Sequence, residues 1–222
     1  RETRMLTRVL EPEVMDTVEE AEGYDAMDHS EPNQAFVQRL AELGASGRML
    51  DIGTGPGSIP LLICERIPDA TVVGVDLSYH MLRVAERNRA ASPCRDRVQF
   101  RLGDAKGLPF ADESFDTVFS NSILHHIPDP RPFLADAPRV LKPGGAFLVR
   151  ALFRPPDEET QERLVQLHAA TADEYQKSLF RASLHAALTP AELLALVDDM
   201  GLDDLLLTVD NDRHISLQRK AS

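Results

Sequence analysis

The sequence predicts an α/β fold in which helices cover both faces of a mostly parallel sheet. Between residues 48 and 153, short apolar runs alternate with amphipathic stretches of helical length, as in repeated strand–helix–strand units. A glycine-rich turn follows the first apolar run, and the carboxyl-terminal part ends in two further β-type segments around Asp210-Asn211-Asp212-Arg213. Together these observations predict a doubly wound sheet closed by an antiparallel hairpin, within one domain of 222 residues.

The elements follow in order from periodicity and turn residues. Residues 12–43 predict two amphipathic helices, one with Pro12 in its first turn and one over residues 31–43, before Gly44-Ala45-Ser46-Gly47 breaks the chain. Apolar or β-branched runs predict strands at residues 48–52, 71–77, 98–102, 115–120 and 146–153. Helices are predicted at residues 58–66, from the cap Ser78 to about Ala90, and at residues 132–141, with Lys142-Pro143-Gly144-Gly145 as a turn.

The sequence changes character after Pro155-Pro156. Residues 157–200 are helical in pattern and lack strand signals, whereas residues 205–209 and 214–217 predict the closing hairpin. We therefore expect a single domain with four parts: a helical segment at 1–44, a ligand-binding core at 48–153, a helical insert at 157–200 and the hairpin at 203–219. Residues 157–189 are candidates for a lid over the active face.

Composition and charge exclude several classes of protein. Hydrophobic residues make up 43% of the chain, which is typical of a globular protein, and the formal net charge is −12. A strongly acidic chain repels phosphate backbones, so we expect no nucleic-acid partner. No apolar stretch approaches the roughly 20 residues that span a bilayer. The two cysteines, Cys64 and Cys94, are too few for a disulfide framework, and the amino end lacks the apolar core of a signal peptide. We expect a cytoplasmic protein.

The glycine-rich turn is the first candidate binding site. Ligands of an open parallel sheet bind outside the carboxyl ends of the strands, where Gly53, Gly55 and Gly57 allow close approach to the main chain. The spacing is G-x-G-x-G, with Ser58 next, rather than the dinucleotide fingerprint G-x-G-x-x-G/A. Asp51 precedes the glycines and would repel a pyrophosphate, whereas it favours a cationic ligand. A plain strand-to-helix turn remains the alternative.

Two further acids follow later strands. Asp76 ends the second strand, where a carboxylate can accept hydrogen bonds from both hydroxyls of a ribose. Asp104 follows the third strand and can accept a hydrogen bond from an adenine amino group. The alternatives are a helix cap or turn former at Asp76 and ordinary turn chemistry at Asp104.

These residues belong to a set of motifs that resembles the class I S-adenosylmethionine-dependent methyltransferases, in the small-molecule group that includes the ubiquinone and menaquinone biosynthesis enzymes. The resemblance covers about residues 48–150 and follows the family's order. Its pieces are Leu50-Asp51-Ile52-Gly53-Thr54-Gly55-Pro56-Gly57, Val73-Gly74-Val75-Asp76-Leu77-Ser78 with Met81-Leu82, Gly103-Asp104-Ala105, Phe115-Asp116 to Ser120-Asn121, and Arg139-Val140-Leu141-Lys142-Pro143-Gly144-Gly145.

The resemblance implies a Rossmann-like sheet of seven strands with a reversed last strand. It implies S-adenosylmethionine as cofactor and S-adenosylhomocysteine as product. The loop at residues 53–57 and Asn121 would contact the methionine part, Asp76 would hold the ribose, and Asp104 and Ala105 would flank the adenine. The predicted cofactor-binding residues are Asp51, Gly53, Thr54, Gly55, Gly57, Asp76, Leu77, Met81, Gly103, Asp104, Ala105 and Asn121.

Transfer of an activated methyl group needs mainly an in-line nucleophile, and a base only where that nucleophile must lose a proton. His125 and His126 follow the fourth strand, and histidine titrates near neutral pH, so we predict that one of them contacts or deprotonates the acceptor. The alternative is that the pair only packs its loop. A metal site with Asp129 is disfavoured because adjacent side chains diverge, and no metal is predicted.

Residues outside the motifs are candidates for contacts to the acceptor, chiefly Tyr24, Arg150 and Arg154. Tyr24, with Met27, can fold over the cofactor, or its helix can pack on the domain. Arg150 and Arg154 flank the end of the fifth strand and can bind an acidic group bidentately, or they can be solvated surface. The same applies to Arg181 and His185 of the insert.

The sequence therefore predicts an enzyme that transfers a methyl group from S-adenosylmethionine to a small-molecule or lipid-like acceptor at oxygen, carbon or nitrogen. A non-catalytic S-adenosylmethionine-binding module is one alternative. A nicotinamide-dependent oxidoreductase is another, disfavoured by Asp51 and by the glycine spacing. We expect a small-molecule substrate, no stable membrane insertion, and a monomer or homodimer.

Overall fold

The computed structural model describes residues 6–11 and 16–222, which form eight α-helices, two 3₁₀ turns and seven strands. The strands are β1 (Arg48–Ile52), β2 (Thr71–Asp76), β3 (Val98–Leu102), β4 (Phe115–Asn121), β5 (Leu141–Leu152), β6 (Leu206–Val209) and β7 (His214–Arg219). The helices are α1 (Val18–Asp25), α2 (Ser30–Glu42), α3 (Ser58–Arg66), α4 (Tyr79–Ala91), α5 (Arg131–Arg139), α6 (Glu158–His168), α7 (Glu174–Ala186) and α8 (Pro190–Asp199). The 3₁₀ turns lie at Arg95–Arg97 and Leu124–His126.

All seven strands belong to one sheet, in the order β3-β2-β1-β4-β5-β7-β6. β1 is parallel to both β2 and β4, and β2 is parallel to β3, whereas the last strands run antiparallel. The register pairs Asp51 with Gly74 and Asp76 with Leu102, so the carboxyl ends of β1, β2 and β3 meet at one edge. The predicted Rossmann-like, mostly parallel sheet is confirmed.

The described residues cluster into two compact units. The loop unit comprises residues 16–121, 130–149 and 218–222, and the histidine unit comprises residues 6–11, 122–129 and 150–217. The core of the loop unit contains the fully buried side chains of Phe36, Met49, Ile63 and Phe119. A smaller core in the histidine unit contains Leu152, Leu164, Val165, Leu184 and Ala187. The division into a single domain with four parts stays a prediction.

Local sequence signals place most element ends. Ser78 is the N-cap of α4, and its hydroxyl accepts a hydrogen bond of 3.1 Å from the Met81 N–H, as predicted. Thr189 and Glu192 form a capping box at the start of α8. α3 and β3 have the predicted bounds. The first predicted helix is observed from Val18, and Pro12 lies outside the described residues.

The turn predicted at Lys142-Pro143-Gly144-Gly145 is wrong, because β5 already begins at Leu141 and runs through it. The strand continues here because residues at the carboxyl end of the chain form hydrogen bonds with Gly144 and Gly145. The Ser222 N–H donates to the Gly144 carbonyl at 3.1 Å, and Arg219 Nε donates to the Gly145 carbonyl at 3.3 Å. Pairing with the carboxyl-terminal segment thus overrides the turn signal of the local sequence.

None of the helices in the described part of the chain has the length and apolarity that a membrane crossing needs.

Candidate active site

The glycine loop of the loop unit lies between β1 and α3, and its torsions explain its sequence. Gly53, Gly55 and Gly57 have φ angles of 78°, 53° and 80°, in the left-handed region that glycine adopts without steric cost. Gly57 is also the N-cap of α3, and a Cβ atom there would overlap the ring of Phe100. Gly57 is therefore required both by its torsion and by its packing.

Gly55 differs because the space beside it is open. A Cβ atom on Gly55 would meet no heavy atom within 4 Å. Its N–H group is fixed by a hydrogen bond of 2.8 Å to Oδ2 of Asp76, which joins the loop to the end of β2. The backbone at Gly55 thus forms a fixed, open surface that a ligand can approach closely.

Two buried carboxyl groups, Asp51 and Asp76, stand at the carboxyl ends of β1 and β2. Oδ2 of Asp51 accepts a hydrogen bond of 2.8 Å from the Thr54 hydroxyl, and Oδ1 of Asp76 accepts one of 2.9 Å from the Ser78 N–H. Burial raises the pKa of Asp51 to about 7; the Thr54 hydrogen bond opposes this shift and the charge of Asp76 adds to it. Burial also raises the pKa of Asp76.

No cation pairs with either acid within the described ranges 6–11 and 16–222. Each carboxylate is instead held by hydroxyl or backbone donors, which leave lone pairs on its oxygen atoms. Ionised, the pair gives this edge of the sheet a negative potential that a cationic ligand would relieve.

Tyr24 lies within electrostatic range of this acidic pair. Its ring packs with Ala21 of α1 against Met81 and Val84 of α4. Burial raises the pKa of the Tyr24 phenol. The negative charges of Asp76 and, to a smaller extent, Asp51 raise it further. The two interpretations of Tyr24 from the sequence, helix packing and proximity to the ligand site, are therefore compatible.

Apolar side chains border the ends of β2 and β3. Leu77 is 40% exposed and Leu102 is 60% exposed, and Leu102 pairs in register with Asp76. Exposed leucines beside a buried carboxylate suit a ligand with an apolar face and polar edges. Leu102 was not predicted from the sequence, although its place as the last residue of a strand before Gly103-Asp104 is a usable signal.

The Gly103-Asp104-Ala105 segment continues from β3. The Gly103 N–H donates to the Asp76 carbonyl at 3.0 Å, which holds the segment at the edge of β2. Oδ1 of Asp104 accepts a hydrogen bond of 2.8 Å from the Lys106 N–H, so Asp104 forms a local turn as well. Asn121 is the last residue of β4. The loop unit therefore brings Asp51, the glycine loop, Asp76, Leu77, Met81, Gly103 and Tyr24 together.

The histidine unit contains a separate polar cluster around the 3₁₀ turn Leu124–His126. The rings of His125 and His126 have centroids 4.2 Å apart, and they are 4% and 22% exposed. The Glu11 carboxylate oxygen Oε1 lies 3.1 Å from Nδ1 of His126 and 3.7 Å from Nε2 of His125. No local pattern in the sequence marks Glu11, because its neighbours lie far along the chain.

Burial shifts the pKa values of His125 and Glu11 in opposite directions. Burial lowers the pKa of His125 well below its ordinary value, and His126, His214 and Arg8 lower it further, so its ring is neutral. Burial raises the pKa of Glu11 to about 7, which a hydrogen bond from Ser183 opposes.

The two candidate arginines have different surroundings. Arg154 is 6% exposed; its guanidinium donates to the Ala187 carbonyl at 2.8 Å and to Glu192 at 2.6 Å, so it joins the end of α7 to the start of α8. Burial lowers the pKa of Arg150, with Asp210 opposing and Arg213 adding to the shift. Arg150 thus belongs to a charged group on β5 and the closing hairpin.

Comparisons with known proteins show that the chain is similar to methyltransferases. Residues 50–149 match a family described as a methyltransferase domain. The chain is 35% identical to the demethylmenaquinone methyltransferase of Symbiobacterium thermophilum, over 61% of this chain and 57% of the relative. It is 34% identical to the 27-O-demethylrifamycin SV methyltransferase of Amycolatopsis mediterranei, over 69% of this chain and 61% of the relative. The chain therefore spans less than two-thirds of the length of either relative.

Solved structures agree on the fold. The geranyl diphosphate C-methyltransferase of Streptomyces coelicolor, solved with Mg²⁺, geranyl diphosphate and S-adenosyl-L-homocysteine, superposes with a TM-score of 0.63 at 15% identity, covering 100% of this chain and 92% of that one. A SAM-dependent methyltransferase from Aquifex aeolicus gives a TM-score of 0.64 at 15% identity, covering 93% and 99%. The family resemblance expected from the motifs is confirmed.

Proposed function

We propose an activity from the premise that the chain belongs to the class I S-adenosylmethionine-dependent methyltransferases. The chain transfers a methyl group from S-adenosylmethionine to a small-molecule acceptor and releases S-adenosylhomocysteine. The names of its relatives include enzymes for demethylmenaquinone and for a demethylrifamycin, which supports an organic acceptor of modest size.

The observation that carries this proposal is the acidic edge beside Gly55. Asp51 and Asp76 are buried at adjacent strand ends, and the Gly55 backbone next to them is open. A sulfonium and an ammonium group are both cationic, so S-adenosylmethionine satisfies the two carboxylates where a pyrophosphate would be repelled. The residues present therefore fit this cofactor.

Each predicted cofactor residue has a role in holding it. The loop at residues 53–57 and Asn121 contact the methionine part, and Asp51 offsets its positive charge with Thr54 as support. Asp76 accepts hydrogen bonds from the ribose hydroxyls through lone pairs that Gly55 and Ser78 leave available. Leu77, Met81 and Gly103 to Ala105 surround the adenine. When bound, the cofactor supplies an activated methyl group, so the chain has mainly to orient an acceptor.

We assign the acceptor side to residues outside the motifs. His125 and His126 follow Asn121 by only a few positions along the chain, and one of them contacts or deprotonates the acceptor. Tyr24, Arg150 and Arg154 contribute to acceptor binding, Arg154 chiefly by holding α7 and α8 in place. The acidic chain, with a net charge of −12, acts without nucleic acid, in the cytoplasm, as a monomer or homodimer.

Calorimetry and a labelled-methyl assay test the proposal. We expect the protein to bind S-adenosylhomocysteine and not NAD, and to transfer labelled methyl from S-adenosylmethionine to a component of a small-molecule extract. NAD binding without S-adenosylhomocysteine binding would make the chain an oxidoreductase candidate. Cofactor binding with no labelled product from any extract would leave a non-catalytic module.

Histidine variants test the acceptor side separately. His125→Ala or His126→Ala should lower turnover while the Kd for S-adenosylhomocysteine stays within about twofold, because neither ring is assigned to the cofactor. The matched control is His168→Ala. His168 is the last residue of α6, and its ring pairs with Asp212. Unchanged turnover in both His125 and His126 variants would remove the histidines from the proposal.

A further inference from the structure

The cluster of Glu11, His125 and His126 joins groups from distant parts of the chain. Glu11 Oε1 lies 3.1 Å from Nδ1 of His126 and 3.7 Å from Nε2 of His125. The carboxylate is 10% exposed and therefore largely removed from water, and its Oε1 approaches the rings without forming a hydrogen bond among the described residues. An ionised carboxylate so buried needs a compensating partner, and the rings are in position to be one.

Glu11 is held in place by a defined scaffold within the histidine unit. The backbone N–H groups of Leu6 and Val9 donate to the carbonyls of Pro156 and His185, at 3.0 and 3.1 Å. The Ser183 hydroxyl donates to Glu11 Oε2 at 3.3 Å. The segment at residues 6–11 therefore presents the carboxylate to the histidines in a fixed position.

Arg8 does not neutralise Glu11, although it is only three positions away. Its guanidinium donates to the carbonyls of Ala186, Pro128 and Ile127 at 2.7, 3.0 and 3.0 Å. Arg8 thus anchors the segment to the loop after His126 and to the end of α7. Within residues 6–11 and 16–222, the basic side chains next to the Glu11 carboxylate are the two imidazole rings.

We propose that Glu11 is a positioning residue that keeps the imidazole hydrogen of His126 on Nδ1, so that Nε2 takes the proton of the methyl acceptor. This inference rests on the proposed function. The acceptor's proton moves to Nε2 of His126, and the electron pair it leaves forms the new bond to the methyl carbon. The bond between that carbon and sulfur breaks, and S-adenosylhomocysteine leaves. A carboxylate against Nδ1 stabilises the imidazolium formed in this step.

Two observations select His126 over His125. His126 is 22% exposed and His125 is 4% exposed, so only His126 offers a ring surface to an incoming molecule. The carboxylate also lies closer to His126. The titratable groups around the pair are Glu11 and Arg8 from the amino-terminal segment and His214 from β7. Burial lowers the pKa of His214 to about 3 and that of His125 well below its ordinary value, so both of these rings are neutral. His125 supports its neighbour by packing against it.

Nitrogen-15 NMR of the imidazole rings tests the tautomer without any knowledge of the acceptor. The spectra are recorded on the whole protein with S-adenosylhomocysteine added. The signals that disappear in His126→Gln identify the His126 ring. We expect the imidazole hydrogen of His126 on Nδ1. Glu11→Met should abolish that preference, because free imidazole has no such bias. Glu11→Gln keeps an acceptor oxygen without the charge and should retain the tautomer. A hydrogen on Nε2 of His126 in the unaltered protein would overturn the proposal.

A double-mutant cycle tests the catalytic consequence, with the acceptor that the labelled-methyl assay yields. Glu11→Met should lower kcat about 10- to 100-fold with little change in the KM for S-adenosylmethionine. In the His126→Ala background the same change should cost less than about twofold, because a positioning residue acts through its partner. Equal losses in both backgrounds would indicate a merely structural role for Glu11. Glu162→Gln, an exposed acid paired with Arg181, is the control.

The pH profile of kcat/KM separates charge from hydrogen bonding. Glu11→Gln should move the acid limb to lower pH, since loss of the carboxylate makes the catalytic ring easier to deprotonate. An unmoved limb would contradict an electrostatic role.

The same three groups could instead hold a divalent cation, because their ligand atoms all lie within 4.8 Å of one another. Titration with Zn²⁺ distinguishes the two. Stoichiometric binding that Glu11→Gln abolishes, together with turnover lost in chelator and restored by the metal, would replace the proton-transfer proposal with a metal site. Full turnover in chelator supports the proposal. Failure of methyl transfer altogether would remove the proposed function but leave the NMR result standing.

Discussion

Asp51 in the loop unit and Glu11 in the histidine unit are both carboxyl groups whose pKa is raised by burial to about 7. Their surroundings differ. The hydrogen-bond donor to Asp51 is Thr54, three positions along the same loop, and no cation is supplied by the described chain. The neighbours of Glu11 are Ser183 and two imidazoles more than a hundred positions away. Asp51 is therefore suited to binding a cationic ligand. Glu11 is suited to orienting a histidine of the same chain that accepts a proton.

The largest expected effect is on the free energy of unfolding, for a substitution at Gly57 in the glycine loop. Gly57→Ala places a methyl group at a φ of 80° against the Phe100 ring. Strain and overpacking should together lower the free energy of unfolding by about 3 kcal/mol, measured by urea denaturation.

Gly55→Ala is the matched control, since it has a positive φ but open space around it. It should cost only about 1 kcal/mol of stability while weakening S-adenosylhomocysteine binding, because the added methyl group fills the surface that the ligand approaches. Equal destabilisation by the two variants would show that Gly55 is a structural glycine and not part of a ligand surface.

The next effect is on binding alone. Asp76→Asn retains one acceptor oxygen for Gly55 or Ser78 but removes the charge and one strong acceptor. We expect the Kd for S-adenosylhomocysteine to rise about 10- to 100-fold by calorimetry, the loss of charge-assisted hydrogen bonds. Asp69→Asn, an exposed acid before β2, should leave the Kd unchanged. An unaltered Kd for Asp76→Asn would contradict its ribose role.

Features that depend on neighbouring residues could be predicted from the sequence, and features that depend on distant partners could not. The bounds of α3 and β3, the Ser78 cap and the cofactor loop follow from residues adjacent in the chain, so periodicity and turn chemistry suffice. Glu11 and the run of β5 through Gly144-Gly145 depend on partners far along the chain. No local pattern encodes such contacts, which is why the Lys142 turn was predicted wrongly and Glu11 not at all.

The raised pKa of Asp51 gives cofactor binding a pH dependence of defined sign. A cation favours the ionised carboxylate, so affinity for S-adenosylmethionine should fall up to about tenfold per pH unit below about 7. S-adenosylhomocysteine lacks the sulfonium charge and should show a weaker dependence. Calorimetry of both ligands between about pH 5.5 and about pH 8 covers the transition. Asp51→Asn should flatten the profile for S-adenosylmethionine.

The stability of the ligand-free protein should change in the opposite direction. Because the folded pKa of Asp51 lies above its unfolded value, folding favours the protonated form. The contribution of this group to stability is present at acid pH and is lost as the pH rises through about 7. Parallel rather than opposite trends in affinity and in the Asp51-dependent part of stability would contradict this assignment.

The smallest effect concerns the anchor that holds Glu11. Arg8→Lys keeps the positive charge but cannot reproduce the three-carbonyl contact of the guanidinium, so the histidine unit should lose about 1 kcal/mol. Hydrogen exchange should locate this loss at the amides of Leu6 and Val9, which donate to Pro156 and His185, and leave the glycine loop unaffected. Arg163→Lys on the exposed face of α6 is the control. If exchange at Leu6 and Val9 stays unchanged, Glu11 is held by its own contacts with Ser183 and the imidazoles, and the carboxylate rather than the arginine anchors the segment.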